Sequence, residues 1–331
     1  MIISESLPES NGHFHNSMNG KQAESQLSVC DSTPSYTLKR NAFLLTQTPP
    51  AFIMVDMNTS RYFTRSNVHS HTTFVDGRDT AEEMAQAALA LGFHTLGFSE
   101  HGHADYDDCS MSLAQEGEYR AEIRRLKQVY AGRLNILLGY EHDWLSPADV
   151  SEYEYTIESV HYVNRGGALF CVDNSRQVLM DAARELYGGD MYALCRDYFQ
   201  TVCRSIEGTD AAILGHIELV MKFNEARDLF DDADPRYLGP ALECAELAAR
   251  SGRLVEVNTG AIARGYRTQP CPGAAMLRRL AECGGRIIFT SDCHNRDHLD
   301  CAFAEAAQLA RACGFSAAWE YRGGEAVAYR L

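Results

Sequence analysis

The sequence lacks the long apolar segments and the N-terminal pattern that would place the protein in a membrane or outside the cell. No stretch of about 18 apolar residues occurs, which is the length that a transmembrane helix requires. No basic N-terminal region precedes an apolar segment, so a secretory signal is not predicted. The 11 cysteines include no C-x-x-C pair. An odd number of cysteines without framework spacing indicates reduced thiols, and we therefore expect a cytoplasmic protein.

Positive charge is also scarce. The chain has 30 Lys and Arg against 45 Asp and Glu, a net charge of −15. This balance argues against a nucleic-acid partner, because contacts to a phosphate backbone need Lys and Arg. It is compatible with a small phosphorylated substrate held in a locally positive, metal-loaded pocket. With 331 residues, 45% of them hydrophobic, the chain is long enough for one large or two small domains with a substantial core, while its oligomeric state stays open.

Residues 1–60 differ in composition from the rest of the chain. They are rich in Ser, Asn, Gln and Thr and show no sustained periodicity. Such a segment buries too little apolar surface to offset the entropy lost on ordering, so we predict a disordered extension followed by a folded domain at 61–331. His13 and His15 are separated by one residue, but no strand or following acid supports a metal site there, and we interpret them as solvated.

The first motif of the folded domain combines two histidines with an acid. His69 and His71 lie in an apolar segment that predicts a strand ending near His71, and Asp76 follows in a loop. Residues two apart on a strand point to the same side, so both imidazoles could bind one divalent metal. The next helix has Thr80 as its predicted N-cap and Glu83 to complete a capping box. By itself the pattern is equally compatible with two surface histidines.

Beyond residue 65 the sequence alternates short apolar segments with longer amphipathic ones. Strands are predicted at residues 68–71, 95–98, 135–138, 156–160, 211–214, 254–257 and 286–289. Helices are predicted at 81–91, 116–130, 175–187, 191–207, 241–251, 273–283 and 299–313. Such alternation favours parallel β/α units. An open doubly wound sheet would gather its site near one switch point, whereas here almost every strand ends in a candidate ligand. We therefore predict an α/β fold, a TIM-like (β/α) barrel of about seven strands.

The acids and histidines at the predicted strand ends form one set. Any single member could be a buried core histidine or a surface acid, but their recurrence at the same end of successive strands favours a shared site. So many ionisable groups on one rim require counter-charge, and the set suits about three divalent ions, with Glu141 as a bridging ligand. The absence of cysteine ligands leaves Zn, Mn and Fe open. The nine residues are His69, His71, Asp76, His101, Glu141, His161, His216, Asp292 and His294.

With these motifs in this order, residues 65–315 resemble the PHP (polymerase and histidinol phosphatase) superfamily. The matching stretches are His69-Ser-His71 with Asp76, Ser99-Glu-His101, Gly139-Tyr-Glu141, Ser159-Val-His161, Gly215-His216 and Ser291-Asp-Cys-His294. The resemblance implies a distorted (β/α)7 barrel with a trinuclear metal site. It also implies that His69, His71, Glu141 and Asp292 bind one ion, that Asp76, His101 and His294 bind a second, and that His216 and His161 serve the remaining positions.

Within the superfamily the sequence is most similar to the histidinol-phosphate phosphatase type. The similarity lies in residues 215–223, 256–264 and 269–272, although Cys271 stands where an aromatic is expected and Gly102-His103 departs from the usual second motif. It implies hydrolysis of L-histidinol phosphate, a step of histidine biosynthesis. The metal ions would lower the pKa of a water that attacks phosphorus in line and would stabilise the charge that develops.

Individual residues can be given roles in this implied reaction. The catalytic residues would be Glu141, Asp292 and His101. Arg264 and Arg267 would bind the substrate phosphate, with a solvated basic loop as the equally plausible alternative. His103, placed among the substrate-binding residues, and His142 are candidates for protonating the leaving group, although both could instead support the metal ligands.

Two other functions are compatible with parts of the pattern. A nucleotide phosphatase or nuclease of the same superfamily would keep the metal site and change the substrate, and the acidic charge disfavours only long polynucleotides. A non-catalytic metal-binding module would be expected to have lost ligands, and none is missing from the nine.

Overall fold

The computed structural model describes residues 64–331, so the predicted extension at 1–60 lies outside the described residues. The described strands are β1 (Ser66–Asn67), β2 (Thr95–Phe98), β3 (Asn135–Asp143), β4 (Tyr155–Ser159), β5 (Tyr162–Arg165), β6 (Ala168–Cys171), β7 (Ile213–Leu214), β8 (Leu254–Asn258), β9 (Arg286–Thr290), β10 (Ala317–Arg322) and β11 (Glu325–Arg330). The helices are α1 (Ala81–Ala90), α2 (Leu113–Val129), α3 (Arg176–Tyr187), α4 (Met191–Gly208), α5 (Pro235–Ser251), α6 (Gly260–Ala263), α7 (Ala274–Glu282) and α8 (Phe303–Ala312). None of these helices is both long and apolar enough to cross a membrane.

The strands form one mixed sheet in the order β1-β2-β3-β4-β7-β8-β9-β10-β11, with β5 and β6 as a separate hairpin. The first seven positions correspond to the seven predicted strands, and each strand pairs in parallel with its neighbour. Six of the seven overlap their predicted residues, and β1 lies just before its predicted segment at 68–71. Helices connect most of them, as the alternation predicted.

The two hairpins were not predicted from the sequence. β10 is parallel to β9 and antiparallel to β11, and β5 pairs antiparallel with β6. Each hairpin turns through two consecutive glycines, Gly166-Gly167 and Gly323-Gly324, all four with positive φ. A Gly-Gly pair between two short apolar segments is the signal that could have revealed these turns.

Strand β1 is shorter than predicted and ends at Asn67 rather than near His71. The side-chain oxygen of Asn67 accepts the backbone N–H of His69 at 3.2 Å, which competes with the strand ladder. The chain then rejoins the sheet on both sides. Ser70 accepts the N–H of Ser99 at 3.1 Å and forms an isolated parallel bridge with Cys293 from the other edge. This double attachment curls the sheet so that β1 approaches the end of β9.

A small apolar cluster fills the interior of the curled sheet. Its buried members are Val68, Leu137, Tyr155, Ile157, Ile213, Leu254, Ile288 and Tyr321. The Tyr155 ring passes so close to β3 that a Cβ at Gly139 would lie 2.1 Å from its Cζ, which requires glycine there. Its hydroxyl donates to the Val68 carbonyl at 2.6 Å. The larger core packs between the outer face of the sheet and the helices.

Local signals set most helix starts. Thr80 caps α1 in a capping box with Glu83, as predicted. Helix α5 begins at Pro235, six residues before the predicted start at 241, because Asp234 caps it and proline is well suited to the first helical position. Helix α8 begins at Phe303 rather than 299.

Candidate metal centre

The inward faces of the parallel strands lead from the apolar interior to a polar rim. On β3, Leu137 lies in the inner apolar cluster, and Glu141 lies four residues further toward the carboxyl end. Residues two and four apart on a strand share a face, so Glu141 continues the line of Leu137 and Gly139 into the rim. The side chain of Glu141 is 1% exposed there.

One carboxylate oxygen of Glu141 faces three imidazoles. Its Oε2 lies 3.2 Å from His69 Nε2, 3.0 Å from His101 Nδ1 and 3.5 Å from His71 Nε2. The three histidines come from the β1 and β2 ends, which the parallel pairing places beside β3. His69 and His71 converge on the same carboxylate, as the H-x-H spacing predicted.

The other oxygen of Glu141 faces the strands on the opposite side. Its Oε1 lies 2.9 Å from His216 Nε2 and 3.5 Å from His161 Nε2. Ser159 donates its hydroxyl to the same oxygen at 2.7 Å. Glu141 is therefore the centre of the cluster, and its two oxygens contact different sets of imidazoles.

Asp292 forms a second centre next to the first. Its Oδ1 lies 3.3 Å from His71 Nε2 and 3.7 Å from His69 Nε2, while its Oδ2 accepts a bond from Arg264 Nη2 at 3.0 Å. The backbone of Asp292 has φ of 43°, in the left-handed region. A Cβ at Gly260 would lie 2.8 Å from Asp292 Oδ2, so only glycine leaves room for this carboxylate. The unusual backbone directs the carboxylate into the rim, in line with strain held at functional sites.

Asp76 and His294 lie at the outer edge of the cluster. Asp76 Oδ2 is 3.0 Å from His294 Nε2, and the stacked rings of His71 and His294 have centroids 4.4 Å apart. The pKa of Asp76 lies below its usual range, because the bond from His294 outweighs the opposing effect of burial. Asp76 is thus an ionised carboxylate that can serve as a metal ligand at this edge of the cluster.

All nine sequence-predicted residues lie in this one rim. They fall into four overlapping groups, and within each group one ligand atom per residue lies within 4.8 Å of the others. The groups are His71 with Asp76, His101 and His294; His69 with His71 and Asp292; His69 with Glu141 and His216; and His101 with Glu141 and His161. Overlap of this kind is the arrangement that adjacent cations with shared ligands require.

Several buried nitrogen and oxygen atoms of the cluster have no hydrogen-bond partner within the part of the chain that the structure describes. They include His69 Nε2, His71 Nε2 and Glu141 Oε2. A buried polar atom without a partner is costly, and nitrogen and carboxylate donors converging in one place suit divalent cations. The residues present therefore fit divalent metal binding.

The charges of the cluster support the same conclusion. Burial raises the pKa of Glu141, but His69 and His101 outweigh it and hold the pKa well below its usual range. Burial likewise opposes ionisation of Asp292, and Arg264 holds its pKa low. Burial, with the neighbouring His294, lowers the pKa of His71 to about 3. The carboxylates are thus ionised and His71 is neutral, as metal ligands are, whereas the raised pKa values of His101 and His161 mean that these imidazoles carry protons that bound cations would displace.

The sequence analysis did not identify the acid that orients His69. Glu256 is fully buried on β8, and its Oε1 lies 2.6 Å from His69 Nδ1. Its Oε2 accepts the backbone N–H of His216 at 2.9 Å. With Nδ1 engaged, His69 presents Nε2 to Glu141 and Asp292. A single acid within the apolar segment Leu254–Asn258 is the signal that could have revealed it.

His161 has a similar neighbour. Asp143 Oδ2 lies 3.4 Å from His161 Nδ1 and accepts the His161 backbone N–H at 2.9 Å. Tyr106 donates its hydroxyl to the other oxygen of Asp143 at 2.7 Å. Asp143 lies two residues after Glu141 on the same inward face of β3, a relation that the strand period could have indicated.

The structure separates the two predicted arginines. Arg264 donates to Asp292 and lies 2.9 Å from His294 Nδ1, so it contacts the cluster directly. Arg267 instead donates to the Met221 carbonyl at 3.3 Å and pairs with Glu225 at 3.3 Å. Arg264 is the better placed of the two to bind a substrate phosphate, and the role of Arg267 stays a prediction.

The two histidines considered for proton transfer are also held by other groups. Both ring nitrogens of His142 face acceptors, Glu158 Oε2 at 2.8 Å and the Ser146 carbonyl at 2.6 Å. The alternating face of β3 explains this, since His142 follows the inward Glu141 and points to the other side. His142 therefore points away from the cluster, and its place in proton transfer stays a prediction.

The side chain of His103 is partly exposed. Its Nδ1 lies 2.9 Å from the Met111 carbonyl, and its Nε2 lies 3.2 Å from Asp105, whose side chain is 96% exposed. It is not in any of the four groups of potential ligands. Its place in substrate binding or proton transfer stays a prediction.

Comparison with known proteins links this geometry to a family. The family model described as PHP domain matches residues 67–260. A Deinococcus radiodurans protein named "Probable histidinol-phosphatase" is 31% identical over 261 residues, covering 74% of this chain and 92% of that protein. A Bacillus subtilis protein named "Histidinol-phosphatase" is 25% identical over 260 residues, covering 71% of this chain and 95% of that protein.

A solved structure shares the fold. It is a histidinol phosphate phosphatase from Lactococcus lactis, described as complexed with zinc, L-histidinol and phosphate. The TM-score is 0.57 at 18% sequence identity, and the alignment covers 80% of this chain and 99% of that one. The predicted mixed α/β fold of this family is thereby confirmed.

Proposed function

The chain belongs to the PHP domain family, and we propose on that basis that it is a metal-dependent phosphomonoesterase. Its substrate is L-histidinol phosphate, which it hydrolyses to L-histidinol and phosphate in histidine biosynthesis. The observation that carries the proposal is the convergence of nine His, Asp and Glu side chains around Glu141 and Asp292. The names of the relatives, and the zinc, histidinol and phosphate of the Lactococcus lactis structure, supply the substrate.

The finer architecture is part of the same proposal. The curled sheet closes between β1 and β9 as a distorted (β/α)7 barrel, with the Ser70–Cys293 bridge as the supporting contact. The rim would hold three divalent ions, Zn, Mn or Fe, because the potential ligand atoms form overlapping groups and Glu141 faces imidazoles with both oxygens. Divalent cations supply Lewis acidity, which polarises phosphoryl oxygens and makes water nucleophilic at neutral pH.

The protein's own residues prepare the site for that chemistry. Glu256 and Asp143 fix the orientation of His69 and His161, so that each presents Nε2 to Glu141. A site whose ligands are oriented before binding needs little reorganisation when the substrate arrives. Because its two oxygens face different imidazoles, we propose that Glu141 would be the bridging ligand.

Arg264 is positioned to bind the phosphate. Its Nη2 donates to Asp292, and its buried Nε has no hydrogen-bond partner within the described part of the chain. A planar guanidinium with an unused donor can take a phosphoryl oxygen beside the metal ligands. The leaving alkoxide needs a proton, for which His103 and His142 are the candidates, since His101 would be a metal ligand.

A substrate panel tests this function. The purified full-length protein, loaded with Zn or Mn, would be assayed for phosphate release from L-histidinol phosphate and a mononucleotide, and for cleavage of a short oligonucleotide by gel electrophoresis. We expect the highest kcat/KM for L-histidinol phosphate. Faster turnover of either nucleotide substrate would overturn the assigned substrate and favour the nucleotide phosphatase alternative. Absence of turnover of all three substrates would overturn the enzymatic function and favour a non-catalytic metal-binding module.

The domain boundary is a separate proposal. We infer that residues 61–331 form the phosphatase unit and that the polar extension at 1–60 is dispensable for turnover, in a protein that we expect to be cytoplasmic. A chain starting at Met57 should keep the kcat of the full chain. An insoluble or inactive product would show that the extension contributes to the folded domain.

A further inference from the structure

The imidazoles of the H-x-H motif have similar surroundings. His69 directs Nε2 toward Glu141 at 3.2 Å and Nδ1 toward Glu256 at 2.6 Å. His71 directs Nε2 toward Asp292 at 3.3 Å, and its Nδ1 lies 3.9 Å from Glu100 Oε2. Each ring thus lies between the cluster and a fully buried glutamate outside the predicted ligand set. For His69 the outer contact is a hydrogen bond, and for His71 it is not.

The gap beside His71 leaves complementary atoms unpaired. His71 Nδ1 and Glu100 Oε2 are both buried without a hydrogen-bond partner within residues 64–331. A ring N–H and a carboxylate oxygen would satisfy each other if they came about 1 Å closer. Both side chains are 0% exposed, so bulk water is an unsuitable partner for either.

The remaining contacts of Glu100 hold the carboxylate in place without using Oε2. Thr72 donates its hydroxyl to Glu100 Oε1 at 2.6 Å. Glu100 belongs to none of the four groups of potential metal ligands. Its free oxygen is therefore directed at His71 rather than at the cluster.

Asp76 is the other acid near the same nitrogen. Its Oδ1 lies 4.0 Å from His71 Nδ1. Asp76, however, is itself in a group of potential ligands, and its Oδ2 is engaged with His294 at 3.0 Å. Glu100 has no competing role of that kind, so it is the better partner for His71.

We propose that Glu100 is the positioning residue of His71. When His71 Nε2 binds a metal ion, its Nδ1–H donates to Glu100 Oε2, which fixes the tautomer and the ring orientation as Glu256 does for His69. The inference rests on the metal-binding part of the proposed function and assigns a role to a residue outside the predicted ligand set.

The test compares Glu100→Gln with a matched control in the full-length protein. Glutamine keeps the shape of the side chain. With its oxygen accepting the Thr72 hydroxyl, however, it would turn an N–H₂ group toward the N–H of His71 Nδ1, where glutamate offers an acceptor oxygen. The control is Glu158→Gln. Glu158 is also buried and faces an imidazole, His142, at 2.8 Å, but that ring is turned away from the cluster. Apparent Zn affinity would be measured by competition with a chelating dye, and bound metal by elemental analysis.

We expect Glu100→Gln to lower the Zn affinity of one ion by about 10- to 100-fold and Glu158→Gln to leave it unchanged. Glu100→Asp should recover part of the affinity, because it restores a carboxyl oxygen that can accept the His71 N–H. Zn affinity of Glu100→Gln within about twofold of the wild type, or an equal loss in the control, would overturn the positioning role. If the wild-type protein bound no metal, the proposed function would fail instead, so the two failures are distinguishable.

Discussion

The two ends of the sheet interior have opposite chemistry, although the same strands build both. One end is an apolar cluster that includes the Tyr155 ring, and the other is a rim of acids and imidazoles. On three strands a residue of the apolar cluster is followed four positions later by a candidate metal ligand: Leu137 by Glu141, Ile157 by His161, and Ile288 by Asp292.

This comparison shows how the fold separates stability from reactivity. Residues four apart on a strand share a face and lie about 13 Å apart along its axis. The apolar end stabilises the fold by removing carbon surface from water. The ionic end collects buried charges, which are costly without a counter-charge. Changes at the two ends should therefore affect different measurements.

Removal of the metal ions should give the largest effect. Without them Glu141, Asp292 and Asp76 converge with only imidazolium and arginine groups as counter-charges. Because ions that bind the folded state stabilise it, chelation should lower the melting temperature as well as abolish phosphatase activity. Added Zn or Mn should restore both. An unchanged melting curve after verified metal loss would show that the ionic end is stable by itself.

Asp292→Asn should affect reactivity at the ionic end. Asparagine tolerates the positive φ of this position, so the backbone can stay as it is. The loss of a charged ligand should reduce kcat/KM by at least about 100-fold, since changes even to residues that only support metal ligands cost 10- to 100-fold. Steady-state kinetics with metal analysis would check this. A decrease of less than about tenfold would argue against Asp292 as a metal ligand.

Ile157→Val tests the apolar end and should produce a smaller effect. Ile157 is fully buried in the inner cluster. Removal of one methylene there should lower the free energy of unfolding by about 0.5–1.5 kcal/mol. Metal content and kcat/KM should stay within about twofold of the wild type, because the Ile157 side chain belongs to the apolar cluster and the substitution leaves the backbone pairing of Ile157 with Glu141 unchanged. Denaturant unfolding of the metal-loaded protein measures the first quantity. A large loss of activity without a stability change would contradict the separation of the two ends.

The pH dependence of the metal-free protein should be the most gradual effect. Burial lowers the pKa of His101, but Glu141 outweighs it and raises the pKa to about 9. The same balance of burial and Glu141, with Asp143, raises the pKa of His161 to about 10. A raised histidine pKa gives stability that is complete below the unfolded value of about 6.5 and is lost as pH rises through the folded value.

The expected result is a fall in the melting temperature of the metal-free protein as pH rises from about 6.5 to about 10, the window set by these groups. In the metal-loaded protein the ions replace the protons, so this fall should be much smaller. Equal pH profiles for the two forms would show that His101 and His161 do not exchange protons for metal.

Particular residues show which features of the fold and of the site could be predicted from the sequence. The seven parallel strands were predicted because apolar alternation and helix-capping residues are local features, as Thr80 and Glu83 of α1 illustrate. The H-x-H spacing of His69 and His71 required only the strand period. The hairpins at Gly166-Gly167 and Gly323-Gly324 were missed although their turn signal is local.

Other features depend on residues that are distant in the chain. His69 meets Glu256 across 187 positions, and Glu141 meets His216 across 75. No local pattern indicates that Arg264 contacts Asp292 while Arg267 pairs with Glu225. The sequence by itself determined which side chains lie at the strand ends, because strand period and burial act over a few residues. Only the tertiary structure decided which of them face one another, because the curl and register of the sheet bring distant strands together.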